Sequence, residues 1–433
     1  MINVIGGGLA GCEAAWHIAE AGCGVTLYEM RPTAATAAHR TDKLSELVCS
    51  TSLKSDDIGT AHGILKREMR ALGSLLLTCA DEVRVPGGGA LCVDPERFSA
   101  LVTERIESHP NITVIREEIK KIPEGVTIIA TGPLTSPAMA EDVARITGAE
   151  RLRFFDAIAP TVYLDSVNFD KVFRQSRYDK GEDDYINAPM TAEEYNAFID
   201  ALLTAEIADL HLEEEKAVYF EGCMPIEVMA SRGRDTLSYG PMKPVGLTDP
   251  HTGKRPHAVV QLRQENAEGT LWGLVGFQTQ MKIGEQKRIF RMIPGLENAE
   301  FARFGSVHRN TYIKSPGILE PTFKLKGGKP LFFAGQMTGV EGYMESAASG
   351  IIAGINAARY EKGQPLLTPP RETMIGSLAH HVAFCEEKVF SPMNSNFGIL
   401  PEIPYKHSKR MRKQLKAEIA EKAMNEFIAG FRF

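Results

Sequence analysis

The chain opens with Met1-Ile-Asn-Val-Ile-Gly6-Gly-Gly8-Leu-Ala-Gly11, an apolar strand that runs into glycines and then into a helix ending near Gly22. In this arrangement Gly6 permits a tight turn between strand and helix, and Gly8 lets the backbone approach a pyrophosphate closely. Gly11 lets the helix lie against the strand. The helix N-terminus also offers unpaired N–H groups and a partial positive charge to phosphates. The stretch therefore predicts a dinucleotide-binding turn.

A second strand, Val25-Thr-Leu-Tyr-Glu29, ends in an acid about 18 residues after Gly11. A carboxylate at this place accepts hydrogen bonds from the ribose hydroxyls of an adenosine. The glycine pattern alone is weak evidence. The strand, helix, second strand and acid together favour a nucleotide site over the alternative, a glycine turn with a purely structural use.

The composition is that of an ordinary globular protein. The 433 residues (47.5 kDa) are 43% apolar and 24% charged, and the chain is too long for one small core. No stretch approaches the roughly 18 consecutive apolar residues of a membrane span, and the nucleotide strand leaves no room for a leader. We therefore expect a cytoplasmic protein without membrane contact. The seven scattered cysteines form no C-x-x-C pair, so neither a metal site nor a disulfide framework is predicted.

Basic residues are unevenly placed, although the net charge is −6. Two clusters stand out, one central and one C-terminal: Lys282, Lys287, Arg288 and Arg291, and Lys406, Lys409, Arg410, Arg412, Lys413 and Lys416. Locally basic surface can bind phosphates in a protein of negative net charge. The alternative for the C-terminal cluster is a solvated helix face, balanced by Glu418 and Glu421.

The nucleotide pattern returns late in the chain. A helical segment is expected over about 63–79, and a strand at 126–131 ends in Thr131-Gly132. A buried strand later leads to Gly335. Between them, the segment 154–303 is charged, aromatic and punctuated by Pro and Gly. We predict an α/β fold, with a discontinuous FAD/NAD(P)-binding Rossmann-like (glutathione-reductase-like) domain at 1–153 and 304–433 and an inserted α+β domain at 154–303.

The late glycine turn favours a flavoprotein. The small-residue helix after Gly339 can aim its N-terminus at the flavin edge, where reduced flavin carries negative charge. The alternative is an ordinary strand–helix unit whose glycines serve packing. The chain has no second complete glycine fingerprint for a nicotinamide cofactor. NADH or NADPH is therefore expected to use a shared pocket if it reduces the flavin.

Two cysteines are candidate reactive thiols. Cys49 follows the second nucleotide strand within Glu-Leu-Val-Cys-Ser, and Cys223 lies between Gly222 and Pro225 on an irregular backbone. For the remaining cysteines we expect small buried side chains. The flanking residues alone do not decide between the two readings for Cys49 and Cys223.

Several segments resemble the folate- and FAD-dependent tRNA (uracil-54-C5)-methyltransferase family. The similarity runs from the first strand to about Pro404, with Thr51 standing where asparagine is expected. The segments that carry it are Gly6–Gly11, Leu27–Pro32, Glu46–Ser50, Arg84–Leu91, Ala130–Thr135, Gly240–Gly246, Val260–Glu265, His308–Tyr312 and Gly339–Tyr343.

The resemblance implies a C5-methylation of the T-loop uridine of tRNA. Methylenetetrahydrofolate would donate the carbon, FAD reduced by NAD(P)H would carry and reduce it, and a thiolate would activate the uridine by adding to C6. The implied nucleophile is Cys223, and Cys49 is a second essential thiol near the flavin. The implied partner is the tRNA T-arm, and no obligate protein partner is inferred.

The motifs also indicate which residues bind the cofactor and the folate, all of them at the predicted flavin site. They are Gly6, Gly7, Gly8, Leu9, Ala10, Gly11, Glu29, Thr131, Gly132, Gly335, Gly339, Glu341, Tyr343, His308 and Arg309. The cations Lys282, Arg288 and Arg291 are candidates for the folate tail or the RNA. For His308, Arg309 and these cations, ordinary structural hydrogen bonding is the alternative.

Other functions remain open at this point. A related family that modifies the wobble uridine of tRNA has a longer chain with a C-terminal helical extension. The same chemistry on ribosomal RNA, a flavin-dependent small-molecule oxidoreductase and a non-catalytic RNA-binding flavoprotein are further alternatives. The last two require neither Cys49 nor Cys223.

Overall fold

The computed structural model describes residues 1–36, 38–148, 151–179, 182–208, 224–386, 390–405, 408 and 411–431, with only the backbone described at 151–156, 179, 308 and 309. The strands are β1 (Ile2–Ile5), β2 (Val25–Tyr28), β3 (Ser52–Ser55), β4 (Arg84–Val85), β5 (Ala90–Val93), β6 (Ile112–Ile115), β7 (Thr127–Ile129), β8 (Arg151–Ala157), β9 (Thr161–Tyr163), β10 (Phe173–Arg174), β11 (Tyr185–Met190), β12 (Ala258–Gln264), β13 (Leu271–Leu274), β14 (Phe301–Arg303), β15 (Val307–Ile313) and β16 (Leu331–Phe333).

The helices alternate with the first strands and again follow the last one. They are α1 (Leu9–Glu20), α2 (Ala61–Ala71), α3 (Leu75–Glu82), α4 (Pro95–Glu107), α5 (Pro137–Thr147), α6 (Ala192–Leu203), α7 (Ile226–Ser231), α8 (Thr236–Tyr239), α9 (Ile283–Phe290), α10 (Tyr343–Glu361), α11 (Met374–Phe384) and α12 (Arg412–Ala429).

A parallel sheet organises the two ends of the chain. Its strand order is β16-β7-β1-β2-β6, and each neighbouring pair is parallel. Strands β7 and β16 are buried throughout, because their continuous apolar runs are covered by the surrounding helices. The strand order reverses at β1, so a crevice is expected outside its carboxyl end, where α1 begins.

A second, antiparallel sheet has the order β10-β11-β12-β13-β9-β14. One of its faces packs with α6 and α9 in a core formed by residues between 162 and 299. The first core draws its buried residues from 2–143 and 313–431. A parallel α/β unit with an α+β unit inserted in its sequence confirms the predicted fold class. The domain boundaries themselves stay a prediction, and the one at 153 falls inside β8, which pairs with β15.

The predicted helix over 63–79 is two helices instead. Gly73 has a φ of +81°, and Ser74 caps the new helix α3 by accepting the N–H of Leu77 at 3.2 Å. The left-handed glycine and the capping serine end one helix and begin another within three residues. The helical spacing of apolar residues continues across this break, so the sequence pattern did not indicate it.

Helices α1 and α10 pack backbone against backbone. A Cβ atom at Gly350 would lie 2.2 Å from the carbonyl oxygen of Ala10, and one at Gly354 would lie 2.6 Å from that of Ala14. Side chains at these two positions would therefore separate the helices. The contact joins a helix from the beginning of the chain to one that starts more than 300 residues later.

We expect Gly350→Ala to lower the free energy of unfolding by about 1–3 kcal/mol, since the methyl group meets rigid backbone. Gly284→Ala in α9 is the matched control, because its Cβ meets nothing within 4 Å. That control should stabilise the protein by roughly 0.5–1 kcal/mol through lower unfolded-state entropy. Chemical denaturation of both variants checks the prediction, and equal stabilities would contradict the packing argument.

Candidate functional site

A cavity of about 430 Å³ opens at the carboxyl ends of β1, β2 and β7 and extends between the two sheets. Most of the predicted site residues line it: Gly6, Gly7, Gly8, Leu9, Ala10, Glu29, Cys49, Thr131, Gly132, Gly335, Glu341 and Tyr343. Gly11 and Gly339 lie behind its wall. A Cβ at Gly11 would lie 1.8 Å from the oxygen of Gly6, and one at Gly339 would lie 2.3 Å from the ring of Phe390.

The first glycine turn has the geometry of an anion cradle. Gly6 has a φ of +106°, and its Cβ would lie 2.4 Å from the oxygen of Ala130. At Gly8 a Cβ would meet nothing within 4 Å, so this backbone faces open space in the cavity. No side chain of the described residues caps α1 at Gly8, and the helix leaves its first N–H groups directed toward the cavity.

Glu29 is buried and partly engaged by the protein itself. Its Oε2 accepts the N–H of Gly7 at 3.0 Å, and its Oε1 accepts the backbone and Nε donors of Arg31 at 3.0 and 2.9 Å. Burial opposes ionisation, but Arg31 outweighs it and holds the pKa of Glu29 below its ordinary value. A carboxylate oxygen accepts about two hydrogen bonds, so Oε2 retains one place for a ribose hydroxyl.

Sequence reasoning missed the partners of this acid. Arg31 is buried and also donates to Glu46 Oε2 at 2.9 Å, which ties the following loop to the end of β2. The cation two residues after the acid was the available signal. An acid at the end of a nucleotide strand needs a partner to stay ionised when it is buried.

The opposite end of the cavity is formed by the N-terminus of α10. As at α1, no side chain of the described residues caps it, and the preceding Gly342 has a φ of +114°. By contrast, α2, α4 and α5 are capped by Thr60, Asp94 and Ser136. Helices α1 and α10 thus keep their terminal N–H groups available to a ligand in the cavity.

Cys49 contacts Tyr343, the first residue of α10. Tyr343 Oη accepts the N–H groups of Cys49 and Ser50 at 2.8 and 3.3 Å and lies 3.0 Å from Cys49 Sγ. Burial, followed by the effect of Cys49, raises the pKa of Tyr343 well above its ordinary value, so the phenol stays protonated. The structure therefore brings this predicted thiol to the helix N-terminus expected at the flavin edge.

A charged cluster that the sequence did not reveal lies beside α10. Glu345 is buried, accepts the N–H of Ser395 at 2.9 Å and lies 3.4 Å from His62 Nδ1. Although burial opposes ionisation, the charge of Lys54 and the contact with His62 lower the pKa of Glu345 to about 2. Lys54 and His62 line the cavity. The cluster places cations next to the predicted flavin edge.

The remaining wall of the cavity is formed by Arg263 on β12, by Ile158 and Gln278 in segments next to the second sheet, and by Asn310 on β15. Arg263 Nη2 donates to Ser50 Oγ at 3.2 Å. The carbonyl of Gln278 accepts the N–H of Ile226 at 2.7 Å, close to where the described chain resumes at Met224. The cavity is therefore bounded by residues of both the parallel α/β unit and the inserted unit.

Three predicted site residues are not described at the side chain. Cys223 lies outside the described residues, and for His308 and Arg309 only their backbone, in β15, is described. Their assigned roles stay predictions.

The two basic clusters are largely engaged within the protein. Lys282 pairs with Glu206 at 2.8 Å, and Arg288 pairs with Glu285 at 2.6 Å. Arg291 donates to the carbonyl of Ala299. In the C-terminal cluster, Lys416 is buried against backbone carbonyls, and Lys406, Lys409 and Arg410 lie outside the described residues.

The fold and the cavity define a dinucleotide-binding flavoprotein. Open space at Gly8, two uncapped helix N-termini and a remaining acceptor on Glu29 fit FAD in an extended conformation. The model of the family described as glucose inhibited division protein A matches residues 1–365. A crystal structure of Aquifex aeolicus GidA has a TM-score of 0.71, with 19% identity, over 98% of this chain and 73% of that chain.

Full-length relatives narrow the assignment. Proteins named methylenetetrahydrofolate-tRNA-(uracil-5-)-methyltransferase TrmFO from Listeria monocytogenes serotype 4b and Bacillus subtilis are each 57% identical, over 98% and 97% of this chain and 97% and 96% of theirs. The one from Halalkalibacterium halodurans is 55% identical over 99% of this chain and 98% of its own. The chain belongs to this methyltransferase family.

The assignment confirms the family, fold class and enzyme class predicted from the sequence, and it supports the predicted dependence on FAD and methylenetetrahydrofolate. Among the described residues, no helix is both long and apolar enough to span a bilayer.

Substitutions at Gly6 and at Gly8 of the glycine turn should separate an effect on folding from an effect on flavin binding. We expect Gly8→Val to fold but to purify without flavin, because its side chain enters open cavity space. Gly6→Val should instead lower Tm strongly, since φ is +106° and the backbone of Ala130 is too close. The ratio of flavin absorbance to protein and thermal melts compared with flavin-free wild type check this. A flavin-loaded Gly8→Val protein would contradict the assignment of the cradle.

Proposed function

We propose that the protein methylates C5 of uridine 54 in the T-loop of tRNA, with methylenetetrahydrofolate as carbon donor and NADH or NADPH as the source of electrons. The observation that carries the proposal is the position of Cys49. This thiol lies 3.0 Å from Tyr343 Oη at the N-terminus of α10, in the cavity that α1 also enters. Membership of a tRNA (uracil-5-)-methyltransferase family supports the reaction.

The residues proposed to hold FAD divide by the part of the cofactor they contact. The turn at Gly6–Gly8 and the first N–H groups of α1 bind the pyrophosphate, and Glu29 binds the adenosine ribose. The N-terminus of α10 lies at the flavin ring, where its dipole favours negative charge. When bound, FAD supplies the redox-active ring that carries the one-carbon unit and returns a hydride.

The protein's own nucleophile in this proposal is Cys223. Uridine C5 is a poor nucleophile until a thiolate adds to C6, and addition moves the electrons of the C5–C6 double bond toward O4. Gln278, whose carbonyl holds Ile226, brings the chain just after Cys223 to the cavity wall. The insertion 154–303 would thus present the nucleophile to the cofactor domain formed by 1–153 and 304–433.

Cys49 has a supporting role in the proposal. Its N–H and that of Ser50 are held by Tyr343 Oη, so the thiol has a fixed position relative to α10. The phenol of Tyr343 stays protonated at neutral pH and acts as a hydrogen-bonding group rather than as a base. Glu341, His308 and Arg309 are proposed contacts of the folate and the flavin edge, and the tRNA substrate is consistent with a cytoplasmic protein.

Transfer of labelled methylene to RNA tests the proposed function. We expect label from methylenetetrahydrofolate in an unmodified tRNA transcript when flavin-loaded protein and NAD(P)H are present. A transcript with cytidine at position 54 should remain unlabelled. Label in a ribosomal RNA fragment but not in tRNA would contradict the T-loop assignment. Flavin reduction without label in any RNA would favour a small-molecule oxidoreductase instead.

Substitution of Cys223 and substitution of Cys49 should impair different steps of the reaction. We expect Cys223→Ala to keep its flavin but to form no covalent complex with a 5-fluorouridine transcript, because the group that adds to C6 is gone. Cys49→Ala should still form the complex but lose methyl transfer. Denaturing gels and label incorporation measure both effects, and Cys79→Ala, a buried thiol, is the control. An undiminished complex in Cys223→Ala would overturn its assignment as nucleophile.

A further inference from the structure

We propose that Arg263 is a catalytic residue that binds O4 of the target uracil and stabilises the negative charge that develops there when the thiolate adds to C6. The inference rests on the proposed function and adds to it Arg263, which lies within the segment Val260–Glu265 but to which the sequence analysis assigned no role. It is carried by the position of the side chain on the second sheet and by its unused hydrogen-bond donors.

The strand β12 directs Arg263 away from the core of the second sheet. Along this strand Val260 and Leu262 are fully buried in that core, whereas Gln261 and Arg263 alternate with them on the other face. Arg263 is directly opposite Tyr185 on β11. The polar face of the sheet is therefore turned toward the cavity, and Arg263 lines it.

The neighbours of Arg263 fix its place relative to the first unit. Tyr185 Oη donates to the carbonyl of Gly87 at 2.9 Å, and the N–H of Gly88 donates to Asp184 at 2.7 Å. Farther along the chain, the N–H of Ala267 donates to Asp94 at 2.9 Å. These bonds hold the two sides of the cavity together around the guanidinium, which is the rigidity that a preorganised donor needs.

The guanidinium of Arg263 has hydrogen-bond donor capacity that the described residues do not use. Its Nη2 donates to Ser50 Oγ at 3.2 Å, but its Nε is buried and has no acceptor among the described residues. Nor does any carboxylate of the described residues form an ion pair with it, whereas Arg31 has both Glu29 and Glu46. A buried donor without a partner is costly, so this one indicates a ligand with an oxygen acceptor.

The chemistry of the reaction identifies that acceptor. Addition of the Cys223 thiolate forms the S–C6 bond, and the electron pair of the C5–C6 double bond shifts through C4 to leave an enolate on O4. C5 then uses this pair to bond to the incoming carbon. After loss of the C5 proton, the bond between this carbon and its carrier breaks and leaves an exocyclic methylene on C5. A hydride that comes ultimately from NAD(P)H adds to the methylene as the S–C6 bond breaks, which gives the methyl group, the restored C5–C6 double bond and the free thiolate. A cationic N–H donor at O4 stabilises the enolate more than it does the neutral uracil, which lowers the barrier to addition.

The location of Arg263 favours the uracil over the carboxylates of folate. Its Nη2 contacts Ser50, the residue after Cys49, and the same cavity wall contains Gln278, next to the end of the segment with the proposed nucleophile. The donor therefore lies beside Cys49, on the same cavity wall that the chain approaches at Ile226. A cation for the folate tail would instead be expected at an exposed edge of the cavity.

The test compares flavin-loaded Arg263→Gln and Arg263→Lys with the wild type. Covalent complex formation with a tRNA transcript carrying 5-fluorouridine at position 54 is followed on denaturing gels, with RNA affinity and the KM for methylenetetrahydrofolate measured in parallel. Arg97→Gln is the matched control, because Arg97 joins the same two units through Glu268 but lies outside the cavity.

We expect Arg263→Gln to slow complex formation about 100-fold, the usual effect of removing one oxyanion donor, with flavin content and Tm near those of wild type. Arg263→Lys should recover part of the rate, because it retains the charge but not the forked geometry. RNA affinity, the KM for folate and the Arg97→Gln variant should all stay within about twofold of wild type, since none involves the enolate.

Two results would overturn the inference, and a third would overturn the proposed function on which it rests. Complex formation at the wild-type rate in Arg263→Gln would show that Arg263 does not stabilise the charge on O4. A higher KM for methylenetetrahydrofolate in the same variant would assign Arg263 to the folate tail. Wild-type protein that methylates tRNA without forming the complex would show that no addition to C6 needs stabilising. Wild-type protein that labels no tRNA would instead overturn the proposed function itself.

Discussion

The close contact of α1 with α10 is the constraint on which the site depends. Gly350 and Gly354 let α10 lie directly on the backbone of α1 at Ala10 and Ala14. Each helix begins at the cavity without a side-chain cap, so the contact fixes the relative positions of two positively polarised N-termini. A dinucleotide that spans the N-termini of α1 and α10 can bind only if the distance between these two N-termini is fixed. This requirement explains why glycines, and not large apolar side chains, form the contact between the two helices.

Buried carboxylates attach further helices to this pair. Glu13 on α1 accepts the N–H groups of Leu75 and Leu76 at the start of α3, and Glu68 on α2 accepts those of Met374 and Ile375 at the start of α11. Burial raises the pKa of Glu68 to about 8, so this carboxyl is mostly neutral at pH 7 and accepts the two N–H groups without carrying a full charge. The starts of α3 and α11 thus receive carboxyl acceptors, whereas α1 and α10 have no side-chain cap among the described residues. The first N–H groups of α1 and α10 therefore stay available to a ligand in the cavity.

Much of the first unit could be predicted from sequence because its determinants are local. The turn at Gly6–Gly11 and the acid at Glu29 each act within one strand–helix step, and the structure places them as expected. The sequence predicted one helix over about 63–79 and not the break at Gly73, because the spacing of apolar residues carries no information about a residue with positive φ. The charged cluster at Glu345 and the donor at Arg263 depend on contacts between distant segments, which no single-sequence pattern contains.

The basic clusters also show a limit of prediction from sequence, because the sequence does not reveal which cations are already paired with acids. Counting Lys282 and Arg288 as available cations overestimates the positive surface, since each pairs with an acid of its own unit. In contrast, Arg263 belongs to no basic cluster in the sequence, yet it lines a cavity formed by residues of both units and has a buried Nε without an acceptor among the described residues. An enzyme that acts on a base within RNA must bring that base out of the stack into a site that excludes water. Within such a site a single unpaired guanidinium has more effect on a developing charge than several solvated ones, because the surroundings screen it less.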